Sequence, residues 1–378
     1  MKRPLAWVAA AGVVTGILVL LLAWRLWTGS GPGVPLDGRE GPQAQTTLVR
    51  ITPGMTLRAA ADTLAARGLL EHPVILLAGA RINGLQRGLK AGLYELSFGS
   101  SPRDLLEAVT SGQGVQMKVT IPEGLDAEEI AAIIADGLGF DAAAFLAAAD
   151  SLVEAAALAG DLLGPDEWSA AAYDSLLKAE STRHNRRFHW CEGHLAPDTF
   201  RFAEGTGADQ AARFLVETQW ARVDSVLAEA GGQDSLGLSR QGLITLASIV
   251  EAEARLDEER TLIAAVYVNR LEKGRRLEAD PTVAFILGKK GRRLFYRDLE
   301  VESPFNTYRN RGLPPGPIGS PGSASLRAAA QPDSTCRAMY FVSDGRGGHV
   351  FSVTAKEHEK AVREFRRLRA EDQRDPND

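Results

Sequence analysis

Cysteine is scarce in this sequence. Cys191 and Cys336 are the two in 378 residues, and they stand far apart. Two thiols cannot build a disulfide framework or a cysteine zinc ribbon, and they do not report the redox compartment. A basic excess is lacking too. The 43 Lys and Arg face 48 Asp and Glu, a net charge of −5. Such a chain has no general attraction to a polyanion, which disfavours nucleic acid as a partner. No serine stands in a Gly-x-Ser-x-Gly elbow, which argues against a nucleophilic serine of that kind. Gly345 to Gly348 precede neither Gly-Lys-Ser nor a helix, so they are not a phosphate loop. What remains is globular in composition, 45% hydrophobic and 24% charged. The length leaves room for two or three domains.

Long apolar runs are also few, and the first is informative. Lys2 and Arg3 precede a run from Leu5 to Trp24, closed by Arg25. A run of about 20 residues is the length of a membrane-crossing helix. Basic residues in front keep its start in the cytoplasm and place the rest of the chain outside. Trp7, Trp24 and Trp27 lie near its ends, where indole rings favour the interface. A cleaved signal peptide is the rival reading. It would have a shorter apolar core and a small-x-small site, whereas this run ends Trp-Arg-Leu-Trp. No cysteine follows it, which excludes lipoprotein processing.

The expected organisation is α+β. Residues 1–27 are a cytoplasmic start and transmembrane anchor, and 28–46 a Gly- and Pro-rich linker. Residues 47–115 form a small unit. Its strand from Leu48 leads through Pro-Gly to a helix over about 57–67 and a second over 73–82. A strand from Leu89 and a helix from Ser101-Pro102 follow. The opening recurs weakly at Val119-Thr-Ile-Pro-Glu-Gly. Strand-turn-helix units of this sort resemble LysM-type glycan-binding modules; a generic β-α unit is the plainer reading. Residues 116–378 are a larger, mostly helical domain. It is expected to be helical over about 140–179, with a helix over 208–230 and a helix capped by Ser239. Asp257 is expected to cap the next helix, and Asp280-Pro281 to open another. Irregular segments follow, then a hairpin around Met339–Ser343 and His349–Val353, and a charged helix over 355–369.

Three constellations carry possible chemistry. Glu251 and Glu253 interrupt the apolar Ser239 helix. Two residues at about 100° each place them about 200° apart, so they cannot face one cleft. Both border the face of Leu243, Leu246, Ala247, Val250 and Ala254, Glu253 slightly nearer its centre. A carboxyl at the edge of an apolar face loses hydration, holds its proton more tightly and can donate it. The plainer reading is two solvated glutamates in a charged helix end. His189, Cys191 and His194 could bring metal-binding atoms together, but no fourth ligand with conventional spacing is evident, and no metal or cofactor is expected. His349 follows Gly345-Arg-Gly-Gly, which reads as turn chemistry rather than as part of a nucleophilic triad.

An ordered set of motifs sharpens this. Glu192-Gly-His-Leu-Ala-Pro-Asp-Thr-Phe, Leu246-Ala-Ser-Ile-Val-Glu-Ala-Glu-Ala, Val268-Asn-Arg-Leu and Asp280-Pro-Thr-Val come first. Ser303-Pro-Phe-Asn-Thr-Tyr, Gly312-Leu-Pro-Pro-Gly-Pro-Ile and Phe341-Val-Ser-Asp-Gly-Arg-Gly-Gly-His-Val-Phe follow. Each is weak alone. In this order the set resembles the YceG/MltG family of endolytic murein transglycosylases, over nearly the whole chain. The resemblance implies a single-pass protein of the bacterial cytoplasmic membrane whose catalytic domain meets peptidoglycan outside. Synthases near newly made strands are implied partners. It also implies cleavage between N-acetylmuramic acid and N-acetylglucosamine by one glutamate, leaving 1,6-anhydro ends. Carried over by position, the acid is Glu253, with Glu251 in support and Asn306 and Tyr308 beside the sugar or the acid. The plainer roles are a turn for Asn306 and a core place for Tyr308. A muramidase using water would need a second carboxylate roughly 5–10 Å away, with Glu192, Asp198 and Asp280 as candidates. A wall-binding anchor without catalysis is the third reading. The chain departs from the family pattern in three places. Ala252 stands where lysine is common, Phe305 where tyrosine is frequent, and Ala196 and Phe200 vary the entry segment.

Overall fold

The computed structural model describes residues 46–372, apart from 53, 86–87, 113, 164–168 and 231–236, together with 15, 18 and 21–29. Most of the Leu5–Trp24 run and of the linker therefore lies outside the described residues. Residues 21–28 are helical. The chain forms two units, residues 1–118 with 201–206, and residues 119–200 with 207–378.

The smaller unit alternates strand and helix. Strand β1 (Thr46–Ile51) pairs antiparallel with β2 (Gly92–Ser97), Val49 opposite Tyr94. Helices α1 (Leu57–Ala66) and α2 (Pro73–Ile82) lie between them in sequence, and α3 (Pro102–Ser111) follows. Local chemistry sets the helix starts. Thr56 caps α1 by accepting from Ala59 N, and Ser101 makes a capping box with Asp104 at α3. Alternate strand residues Val49 and Ile51 point inward with Leu64, Leu76, Leu105 and Val109. Burying each of these contributes about 2 kcal/mol.

Strand β3 (Gln116–Ile121) leads out of this unit, and its partner β4 (Asp198–Ala203) leads back. After β3 the turn at Gly124, φ +74, is followed by α4 (Ala127–Leu138), capped by Asp126. Gly54, φ +78, and Thr56 stand in the same relation to β1 and α1. This is the recurrence seen in the sequence.

The larger unit is mainly helical. The stretch expected to be helical holds two helices, α5 (Ala142–Ala159) and α6 (Ala170–His184). Gly160 in the left-handed conformation, φ +84, ends the first. Helix α5 is long and apolar enough to cross a membrane by length and composition. Its stripe of Phe145, Ala149, Val153 and Ala157 is buried instead, packed with α4 and with α7 (Ala208–Glu229). It is a core helix. Helix α8 (Arg240–Glu253) is the axis of the unit: every residue from Gln241 to Val250 is buried. Around it pack α9 (Arg260–Glu272), α10 (Asp280–Ile286) and α11 (Ser323–Ala330). The sequence pattern does not announce α11 or β4. The chain ends in the antiparallel hairpin β5 (Tyr340–Ser343) and β6 (His349–Ser352), followed by α12 (Ala355–Asp372).

Two expected caps are different on the structure. Asp257 opens a 3-10 turn (Asp257–Glu259) and bonds the Arg260 side chain at 3.0 Å rather than a helix N–H. Asp280 is the first helical residue of α10, with Ala279 at the cap position. Its carboxylate is engaged elsewhere, as described next.

Candidate functional site

Helix α8 ends at Glu253, and Ala254 leaves it in an extended conformation. The carboxyl thus sits at the negative end of a helix, where a second negative charge is disfavoured. A three-residue link and the 3-10 turn bring α9 back alongside α8. Tyr267 on α9 donates its hydroxyl to Glu253 Oε1 at 3.0 Å. The Glu253 side chain keeps some exposed surface while lying deep among packed groups. Burial pushes its pKa up to about 7, and the Asp280 charge acts in the same direction. The Tyr267 hydrogen bond and the charges of Arg270 and Arg255 oppose the rise. Ala252 is exposed. The cations acting on Glu253 come from other positions than that one.

Glu251 faces another way, as two residues of helix require. Its Oε1 pairs with Arg260 Nη1 at 3.1 Å and its Oε2 accepts from Gly322 N at 3.1 Å, at the start of α11. Arg260 also donates to Ser325 Oγ. Glu251 therefore ties α8, α9 and α11 together.

The Ser303–Tyr308 loop is stitched to α10. Glu278 N and Ala279 N donate to Thr307 O and Thr307 Oγ1 at 3.2 and 3.0 Å. Glu278 has φ +50, a conformation a glutamate adopts only where its surroundings impose it. The stitching brings the Tyr308 hydroxyl to Asp280 Oδ1 at 2.6 Å. The Tyr308 phenol is held above its ordinary range by burial, by that bond and by the charges of Asp280 and Glu253. Asn306 is fully buried. Its Nδ2 donates to Leu299 O and Val301 O at 2.9 and 2.8 Å, and its Oδ1 accepts from Tyr308 N at 2.9 Å. With no surface left to meet a sugar, Asn306 takes the turn-forming role and delivers Tyr308. Phe305 packs between Phe188 and Phe285, an apolar place where a phenol oxygen would need a partner.

The other carboxylate candidates separate cleanly. Asp198 pairs with Arg222 at 2.7 Å. Glu192 accepts from Ala127 N at 3.3 Å, and its buried Oε1 has no partner among the described residues. Burial pushes its pKa up to about 8, aided by the Asp126 charge. Glu192 and Glu253 are thus both raised acids, but Glu192 is only 5% exposed. A polymer cannot reach it. Asp280 is exposed and acts electrostatically on Glu253.

The histidines do not gather as the spacing suggested. His194 accepts from Trp220 Nε1 at 3.1 Å on Nδ1 and meets Gln241 Oε1 at 2.8 Å through Nε2. Burial lowers its pKa to about 4, so it is neutral. His189 and Cys191 instead meet Asp150 of α5, whose oxygens accept from His189 Nδ1 and Cys191 N, both at 2.9 Å. The Cys191 thiol is held well above its ordinary range by burial. These bonds fasten the entry segment to α5. His349 bonds Glu259 at 2.6 Å and fixes the hairpin to the start of α9. A large cavity of about 1080 Å³ lies in the smaller unit, lined by Trp24, Trp27, Ile82 and Leu106. Among the described residues Glu107 is the one carboxylate in its lining, so it offers no pair of carboxyls.

Tyr267 stands among Ile263, Val266 and Leu271 in the sequence of α9, and no motif marks it as a site residue. The available signal was chemical: a buried phenol needs a partner for its hydroxyl.

The YceG-like family matches residues 49–364. A Bacillus subtilis protein named endolytic murein transglycosylase is 31% identical over 332 residues, covering 87% of this chain and 88% of that protein. One of the same name from Streptococcus pneumoniae is 29% identical, covering 88% of this chain and 60% of its own length. The crystal structure of a yceG-like protein from Listeria monocytogenes superposes with a TM-score of 0.51 at 30% identity, covering 83% of this chain and 98% of that one.

Proposed function

Because the chain belongs to the YceG-like family, we propose that it is a murein transglycosylase acting on peptidoglycan glycan strands, with Glu253 as its acid and base. The observation that carries this reading is that Glu253 is a carboxyl both raised to about 7 and reachable from solvent. A group titrating near neutrality is populated in both protonation states, as a residue that gives and then takes a proton must be. Protonated Glu253 donates to the glycosidic oxygen between N-acetylmuramic acid and N-acetylglucosamine, and the C1–O bond breaks. The resulting carboxylate removes the proton from the muramoyl 6-hydroxyl, whose oxygen closes on C1. The proton returns to Glu253 and no water is consumed. An ordinary glycosidase needs a second carboxylate for water or as nucleophile; here the substrate carries its own nucleophile. Tyr308, bonded to Asp280, stands at the rim where the sugar would lie, and Asn306 holds it there through the loop.

The remaining parts of the reading rest on the apolar run and on the resemblance to the family. The Leu5–Trp24 run anchors the chain in the cytoplasmic membrane with both units outside. The smaller unit, as a LysM-like module, holds glycan. Peptidoglycan synthases are the proposed protein partners.

One observation favours a second reading. Asp280 is an exposed carboxylate whose charge acts on Glu253, and a water-using muramidase needs a second carboxylate beside the acid. The test is to incubate the full chain in detergent with uncrosslinked glycan strands and weigh the product ends. Anhydro ends that fall by about 100-fold or more in Glu253→Gln, and persist in Glu251→Gln, are expected. Reducing ends would establish the muramidase. Unchanged strands with a folded wild type would leave a wall-binding anchor.

A further inference from the structure

We infer that Tyr267 is a positioning residue for Glu253, fixing one carboxyl oxygen and thereby selecting the other as the atom that carries the proton. The inference rests on the reading of Glu253 as the acid. Its ground is geometric. The phenol donates to Oε1 at 3.0 Å, and among the described residues no donor is bonded to Oε2. The phenol itself cannot wander. Tyr267 is 1% exposed, in a stretch of α9 where Ala264 and Val266 are fully buried. The ring of Phe341, from strand β5, meets it edge to face at 5.8 Å. A side chain held on all sides delivers its hydroxyl to one point, which is how precision is built into a site.

The consequence is a division of labour between two oxygens. Burial holds the Tyr267 proton well above its ordinary range, so the phenol stays a donor across the working pH. Oε1 therefore always accepts, whether the carboxyl is protonated or not, and the transferable proton resides on Oε2. When Glu253 has given its proton away, the phenol stabilises the carboxylate left behind. A hydrogen bond to the charged form lowers a pKa, so Tyr267 offsets part of what burial raises. The other groups facing Glu253 are Arg270 on α9, Asp280 on α10, Tyr308 on the following loop and Arg255 after the helix end. Of these groups, Tyr267 alone is bonded to the carboxyl.

The experiment is the pH dependence of anhydro-end release from uncrosslinked glycan strands, with the full chain in detergent. Wild type, Tyr267→Phe and Glu253→Gln run in parallel, and melting temperatures check folding. Without the phenol, Glu253 is the weaker acid, so it stays protonated to higher pH. The alkaline limb in Tyr267→Phe is expected to move up by about one pH unit, with the plateau rate down about threefold to tenfold. A purely structural role would lower the rate equally at every pH, and an unmoved limb overturns the inference. Substituting a 3-fluorotyrosine at position 267 strengthens the donor without removing volume. It is expected to move the limb the opposite way, and keeps the test decisive if the phenylalanine variant folds poorly. Full activity in Glu253→Gln overturns the reading of Glu253 itself. An inactive Glu253→Gln beside an unmoved limb in Tyr267→Phe overturns the role of Tyr267 alone.

Discussion

Glu192 gives a quantitative test of the core around the entry segment. The carboxyl is buried and accepts a hydrogen bond from Ala127 N, and among the described residues Oε1 has no partner. Its pKa rises from 4.5 to about 8. The sign follows from proton binding. Between pH 4.5 and 8 the folded chain holds a proton that the unfolded chain has released, so stability falls as pH rises through that window. At 1.36 kcal/mol per pH unit, the loss reaches at most about 5 kcal/mol once the pH exceeds 8. The perturbation is Glu192→Gln. The amide has nearly the shape of the protonated acid, can accept from Ala127 N through its oxygen, and never ionises. Melting temperatures of wild type and variant are measured from pH 5 to pH 9. At pH 5 the two are expected to melt within a few degrees of each other. By pH 9 the wild type is expected to have fallen well below the variant, with the divergence centred between pH 6 and 8. Glu253 loses stability over a lower window in both proteins, so it cancels from the comparison. Parallel curves over the whole range would refute the claim that Glu192 is buried as a neutral acid.

Two further outcomes probe the scaffold behind the site. Arg260→Ala removes the partner of Glu251, whose side chain is 8% exposed. It is expected to destabilise the larger unit by about 3 kcal/mol or more, read as a fall in melting temperature. Gly193→Ala places a Cβ 2.4 Å from Pro317 at φ +77. It is expected to cost about 2 kcal/mol or more and to lower the yield of folded protein in circular dichroism.

How much was legible beforehand differs by element. The Ser239 cap, the helix after it and the 340–352 hairpin carry their own local signals, and each lies where the pattern put it. Length and periodicity of α8 fixed that Glu251 and Glu253 diverge. They did not say which faces what, because almost the entire helix is buried, and a helix buried all round has no polar face to read. The choice was made by α9 and α11, which present Tyr267 to one glutamate and Arg260 with Gly322 to the other. Asn306 and Tyr308 read as a pair in sequence, yet the loop turns one inward to backbone carbonyls and the other outward to Asp280.

The sequence by itself determined where the helices after Ser101 and Ser239 begin, that the segments from Leu48 and Leu89 are strands, and that an apolar run precedes a globular body. Those are properties of neighbours within a few residues, decided by caps, turns and side-chain period. Tertiary structure alone decided that residues 201–206 rejoin the smaller unit, because strand pairing joins positions far apart in the chain. It alone decided that Glu192 is sealed from solvent while Glu253 is not. Two carboxyls of like chemistry differ there because desolvation and access depend on what packs around them in space, and no local pattern records that.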